Sequence, residues 1–120
     1  MPRLSPNTVL NASVLDLEPS PLASSDIVGG SPEAHVSTVV DTPTLSVGVW
    51  ELTPGTVTDT EIEEVFVVLS GSAVVEFAED DRILQLSPGT IGRLGAGAQT
   101  RWTVTETLRK VYITVPAITA

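Results

Sequence analysis

Four carboxylates crowd into the stretch "DTEIEE": Asp59, Glu61, Glu63 and Glu64, and the last opens the apolar run "VFVVLSG". Acids in such a row can hold a hard cation through oxygen ligands, or they can form a solvated acidic loop. The solvated loop is the reading adopted for Asp59, Glu61 and Glu63. Glu64 is different, because the period of two along a strand puts Phe66 and Val68 on its own face. A carboxylate beside those side chains is partly desolvated, so it needs a cationic or hydroxyl partner or takes up a proton. Arg101, Lys110 and Tyr112 are candidate partners, and an acid so placed can serve as general acid or base.

The elements that must position these groups read as β throughout. Residues 1–34 are rich in Pro, Ser and Gly ("EPSPLASSD", "GGSPE") and are expected to form a mostly irregular arm. From His35 to the end at residue 120 the chain reads as one domain of short Val-, Thr-, Ile- and Leu-rich runs, punctuated by "DTP", "TPG", "EDD", "SPG" and "GAG". The expected strands are "HVSTVVD", "TLSVGVWELT", "EEVFVVLS", "SAVVEFA", "RILQLS", "TIGRL", "QTRWTVT" and "LRKVYITV". Eight short strands suggest a sandwich or a small barrel. A helix over "TDTEIEEV", suggested by Thr60 and Glu63 at capping-box spacing, is outvoted by the β-branched run that follows. In "GRLGAGAQ" no helix follows the glycines to receive a phosphate, so tight corners are expected there.

Composition removes several classes. The 120 residues suffice for one domain with a core of its own. Fifteen acidic residues against six basic ones give a net charge of −9, with the cations scattered, which argues against nucleic acid as a partner. No apolar run approaches the ~20 residues that span a bilayer, and no signal-peptide core is visible, so no membrane partner and a cytoplasmic location are expected. Cysteine is absent, which excludes disulfides and thiolate metal sites. "NAS" at Asn11–Ser13 matches a glycosylation tripeptide without other support for secretion.

Two patterns carry a resemblance. In "PGTVTDTEIEEVFVVLSG", Glu64 precedes Gly71 by seven residues; in "LSPGTIGRLGAGAQTRWTV", Gly89 is followed by Gly95 and Gly97. Together they resemble the two motifs of the cupin superfamily, with Gly95 where a proline is usual. The set Gly48, Trp50, Glu51, Pro54, Gly55, then Glu64, Leu69, Gly71, then Pro88, Gly89, Gly97, and finally Trp102, Arg109, Lys110, Tyr112 is similar to small single-domain cupins of the ureidoglycine-aminohydrolase and ethanolamine-utilisation type. The resemblance spans roughly residues 45–116 and implies an all-β fold, a small jelly-roll β-barrel with a pocket at one mouth. It also implies that Glu64 points inward.

Many cupins hold a metal in that pocket through histidines and the motif glutamate. Counting from Glu64, the histidine positions fall here on Thr58 and Thr60, or on Val57 and Asp59 at an alternative spacing; the third falls on Thr100. Threonine hydroxyls are poor ligands for first-row metals, so no metal and no cofactor are expected. The sole histidine, His35, stands apart from both motifs and reads as a strand-edge or surface residue. The three threonines become further candidate partners of Glu64.

The site expected from these readings has Glu64, Tyr112 and Lys110 as proton-handling groups. Trp50, Thr58, Thr60, Phe66, Thr100 and Trp102 form the substrate-binding wall. The tryptophans read equally as core packing or as pocket walls for a flat ligand. On the last strand Val111, Ile113 and Val115 make the more apolar face, which turns Lys110 and Tyr112 outward; the resemblance turns them inward. Arg109 without it reads as an ordinary surface cation. Because "VFVVL" is apolar on both faces, its outer side needs cover from the arm or from a second copy, and a homodimer is expected. Two functions follow as expectations: binding or transformation of a small metabolite without a histidine-bound metal, or a non-catalytic dimeric binding or regulatory cupin with a packed barrel.

Overall fold

The computed structural model describes residues 3–116. Nine strands follow in chain order: β1 (Glu18–Pro19), β2 (Ile27–Gly30), β3 (Ala34–Thr42), β4 (Leu45–Leu52), β5 (Gly55–Thr60), β6 (Glu64–Phe77), β7 (Ile83–Leu86), β8 (Ile91–Leu94) and β9 (Gln99–Thr114). A single 3-10 turn, Ser24–Asp26, precedes β2. All pairings are antiparallel, as short connections between β-branched runs require.

Two long strands organise the molecule. β6 and β9 pair along nearly their whole length. The C-terminal half of β9 also pairs with β4, which leads on to β3, and its N-terminal half pairs with β5, which leads on to β2. On its far edge β6 pairs with β8 at Glu64–Val67 and with β7 at Ala73–Glu76. The sheet therefore bends where the register slips, between Val68 and Ala73, and curls over its own inner face. Gly71 sits in that bend at φ 95°, and a Cβ there would run into the Thr107 carbonyl.

Sequence and structure differ here. The runs expected as separate strands, 63–70 with 72–78 and 99–105 with 108–115, are each one bent strand, because a bulge deflects a strand without ending it. "GTVTDT", not expected as a strand, forms β5. The rejected helix is indeed absent, and no α-helix occurs among the described residues. For the same reason no helix there is long and apolar enough to cross a membrane.

The inner face holds the core, with Leu52, Phe66, Val75 and Leu108 fully buried and Val68 and Leu94 nearly so. Each such side chain contributes about 1.5–3 kcal/mol relative to exposure. The arm lies on the outer face of β3, β4 and β9, lining a groove with Val39, Val47, Val49 and Val111 through Leu4 and Leu10. Leu4 N–H donates to the Val39 carbonyl at 3.0 Å. Arg109 Nη1 donates to the carbonyls of Ala12 and Leu15 at 2.9 and 3.0 Å, and its Nε meets Glu51 Oε1 at 3.0 Å. Arg109 is thus no ordinary surface cation: its planar fork ties the arm to the barrel.

Candidate functional site

One mouth of the barrel opens into a cavity of about 400 Å³. Its walls come from β4 (Trp50), β5 (Val57, Thr58, Asp59), β6 (Glu64) and β9 (Trp102, Lys110, Tyr112), with Glu61 and Ile62 from the loop before β6 and Asp26 from the 3-10 turn. Alternation along β9 sends Thr100, Trp102, Lys110 and Tyr112 inward.

At the cavity floor Lys110 Nζ donates to Glu64 Oε2 at 2.7 Å, with side-chain exposures of 7% and 12%. The ammonium lies 4.8, 4.9 and 4.7 Å from the ring centroids of Trp50, Phe66 and Trp102. Three aromatic faces and one carboxylate replace the water this charge has lost. The tryptophans meet edge to face, centroids 6.0 Å apart at 65°. They pack the core and wall the pocket at once.

Glu61 forms the second polar group. Its Oε2 accepts from Thr100 Oγ1 at 2.6 Å and Trp102 Nε1 at 3.0 Å. The glycine-rich corner holds its backbone: Glu61 N–H donates to the Ala98 carbonyl and Gly97 N–H to the Glu61 carbonyl, both at 2.8 Å. Glu63 secures that corner from the other side, accepting from Ala96 N–H at 3.3 Å and Arg93 Nε at 3.1 Å. So "EIE" alternates: Glu61 lines the cavity, Ile62 is exposed and Glu63 braces the turn.

Asp59 sits at the rim, exposed as a residue, yet its carboxyl is pushed up to about 6 from an ordinary 3.8, first by partial desolvation and next by the negative charge of Glu61. The folded chain therefore holds this proton more tightly than the unfolded chain does. The contribution to stability is complete below about 3.8 and lost as pH rises through about 6. Asp59→Asn is accordingly expected to stabilise the protein at pH 7 by on the order of 1 kcal/mol, discounted for the exposure of the side chain. In urea denaturation across pH, that gain should vanish under strongly acidic conditions; a gain that persists there would mean the strain is not electrostatic.

Tyr112 lies over Gly48, whose missing side chain leaves room for the ring, and its hydroxyl is hydrogen bonded to Thr38 Oγ1 at 2.7 Å. The apolar pattern that turned Lys110 and Tyr112 outward is thereby corrected. Val111 is apolar on the outer face because the arm covers it.

Of the expected site residues, Glu64, Lys110, Tyr112, Trp50, Thr58 and Trp102 line the cavity. Phe66 is fully buried beneath Lys110. Thr100 supports Glu61 and not Glu64. Thr60 is exposed and absent from the cavity wall, and Arg101, exposed beside Thr58, lines a different depression and is not the partner of Glu64. Glu61, assigned above to a solvated loop, is the residue that sequence reasoning missed. Its partner Thr100, two positions before an inward tryptophan, was the available signal.

The donor set does not fit the metal that cupins commonly carry. On β5 the inward positions are Val57 and Asp59, the third histidine position is Thr100, and the motif glutamate is engaged by an ammonium. No group of three or more His, Cys, Asp or Glu suited to a metal occurs among the described residues. His35 lies on the outer face of β3 opposite Glu51, and its Nδ1 has no partner among the described residues.

The sequence model of the EutQ-like cupin domain matches residues 41–112, more than half of the chain. No curated protein matches. Among solved structures, EutQ of Clostridium difficile aligns with a TM-score of 0.64 at 22% identity, covering 82% of each chain. A cupin superfamily protein from Desulfitobacterium hafniense DCB-2 aligns at 0.64 and 13% identity over 97% of this chain and 96% of its own. A protein of unknown function from Pseudomonas syringae pv. tomato str. DC3000 aligns at 0.76 and 27% identity over 85% of this chain and 45% of its own, so the chain spans less than half of that protein. With cupin motifs, a curled β half-barrel and this match in agreement, the chain belongs to the EutQ-like cupin domain family.

Proposed function

We propose that the mouth is a small-molecule site that works without a histidine-bound metal, with the Lys110 ammonium supplying the positive charge beside Glu64. The observation that carries this reading is a buried ion pair at the base of an open cavity of about 400 Å³. An ion pair kept out of water is weak support for stability, and apolar groups of the same volume would serve the fold as well. A role toward a ligand accounts for its position. Glu64 and Lys110 stand together as base and acid, and Tyr112 adds a hydroxyl on the same wall. The cupin fold itself selects no reaction.

A ligand that binds the folded state raises the melting temperature. A panel of sugars, amino acids, ureides and amines is expected to give at least one such shift, abolished in the Glu64→Leu/Lys110→Met double variant. No shift with any member removes this proposal in favour of a packed, non-catalytic domain. Metal analysis of protein purified without chelator is expected to find no stoichiometric transition metal.

A homodimer belongs to the same proposal. On the outer face the register sets Val65 beside Ile113 and Arg93, and Val67 beside Val111 and Ile91, an apolar strip in which Ile91 is 73% exposed. The arm reaches Val111, while Ile91 stays outside its groove. A second copy of the same antiparallel strip is self-complementary cover. Ile91→Arg is expected to turn a dimer in sedimentation equilibrium into a monomer; a wild-type monomer at all concentrations would refute it.

A further inference from the structure

We propose that the ligand of the mouth is a small organic cation, an alkylammonium held between Glu61 and Asp59 with its hydrocarbon part against Trp50, Leu22 and Ile62. The inference rests on the small-molecule reading above and adds the chemical class.

The first support is Glu61. The residue is only 7% exposed, yet both hydrogen bonds to its carboxylate fall on Oε2. No described group donates to Oε1, although the residue lines the cavity. His35 Nδ1 and Ser37 Oγ are the buried side-chain atoms left without a partner among the described residues, so Oε1 of Glu61 keeps its access to the cavity, and an ammonium entering there would replace water on it with a charge-assisted hydrogen bond.

The second support is the balance of charge. Asp26, Asp59, Glu61 and Glu64 line the cavity, and Lys110 is the sole cation that does so among the described residues. Glu64 already neutralises Lys110 at 2.7 Å. Three carboxylates remain, on a chain of net charge −9. An anion would enter against that field, whereas a cation is drawn to it.

The third support is that the cavity already accommodates an ammonium. Lys110 sits among three rings at 4.7–4.9 Å, so aromatic walls and a carboxylate suffice here to replace hydration of such a group. Partial desolvation and, after it, the charge of Glu61 raise Asp59 toward about 6; a positive charge between Asp59 and Glu61 favours the ionised form of both, so binding should release a proton below that pH.

The reporter is built in. Trp102 Nε1–H donates to Glu61, and the chain has only two tryptophans, so two indole signals are expected in a ¹⁵N–¹H spectrum of the full chain. Three isosteric probes that differ in charge are titrated: n-butylammonium, 1-butanol and butyrate, with calcium chloride as an inorganic cation. n-Butylammonium is expected to shift the Trp102 indole saturably, more weakly as pH falls through about 6. Glu61→Gln keeps an acceptor for Thr100 and Trp102 and is expected to weaken this binding by about tenfold or more. Glu76→Gln, which removes an equal charge from an exposed position outside the cavity, should leave it nearly unchanged. Should Glu61→Gln fail to fold, Asp59→Asn serves as the second variant, and its expected signature is loss of the pH dependence of binding. Butanol or butyrate binding as well as n-butylammonium overturns the cation class while leaving the mouth a ligand site. Calcium shifting the indole where the amine does not overturns it in favour of a hard cation. An indole unmoved by any probe also overturns it, and the wider melting panel then decides separately whether the mouth binds anything.

Discussion

Lys110→Met is expected to cost the fold about 3–5 kcal/mol, because it leaves the Glu64 carboxylate buried with no partner. The ammonium is the group that donates to Glu64, and the surroundings on that side are the rings of Trp50, Phe66 and Trp102. Removing one partner of a buried pair exposes the full desolvation penalty of the other. Adding Glu64→Leu is expected to restore most of the loss, since two apolar side chains of similar volume suit this aromatic floor. Urea denaturation of wild type, both single variants and the double variant closes the cycle and gives the coupling directly. A cost below about 1 kcal/mol for Lys110→Met would place the pair in solvent and remove the basis of the proposed site.

Gly71→Ala is the second substitution with a large expected effect, about 3–5 kcal/mol or failure to fold at growth temperature. Two costs combine at this position. Its φ of 95° lies where an L side chain is strained, and the added Cβ would meet the Thr107 carbonyl and Leu108 Cα, which are backbone atoms. Neither can move without shifting β9 against β6, and those two strands carry the curl of the sheet. Gly95→Ala is the control, because nothing lies within 4 Å of a Cβ there. Its urea midpoint should match or slightly exceed that of wild type, because alanine lowers the entropy of the unfolded chain; equal losses at both positions would mean that the bend at Gly71 does not set the cost.

The same pair of strands shows how far pattern reading reaches. Alternation in "VFVVLS" located Phe66 and Val68 on the face of Glu64, and the structure puts all three on the inner side. On β9 the same rule failed. Val111 and Ile113 are more apolar than Lys110 and Tyr112, so hydrophobicity alone selects the wrong face. Lys110 faces inward because a carboxylate and three rings, distant in sequence, converge on it. Val111 faces outward because the arm covers it.

The acidic stretch divides in a similar way. Nothing local separates Glu61 from Glu63, two acids flanking Ile62. Their fates are decided by the Gly95–Gly97 corner, which clamps the Glu61 backbone and leaves Glu63 to brace Ala96 and Arg93. Asp59 and Glu61 then face one cavity, and the raised proton affinity of Asp59 comes first from the partial desolvation there and next from the charge of Glu61.

By itself the sequence determined the β class and the family, and it carries no histidine at the motif positions. These are properties of local conformational preference and of residue type at fixed spacing, which no folding partner can change. The tertiary structure decided that Glu64 meets Lys110, that Glu61 lines the mouth and that the arm shelters the outer sheet. Those outcomes depend on desolvation and on contacts between distant segments, and a side chain acquires such an environment only when the sheet has closed around it.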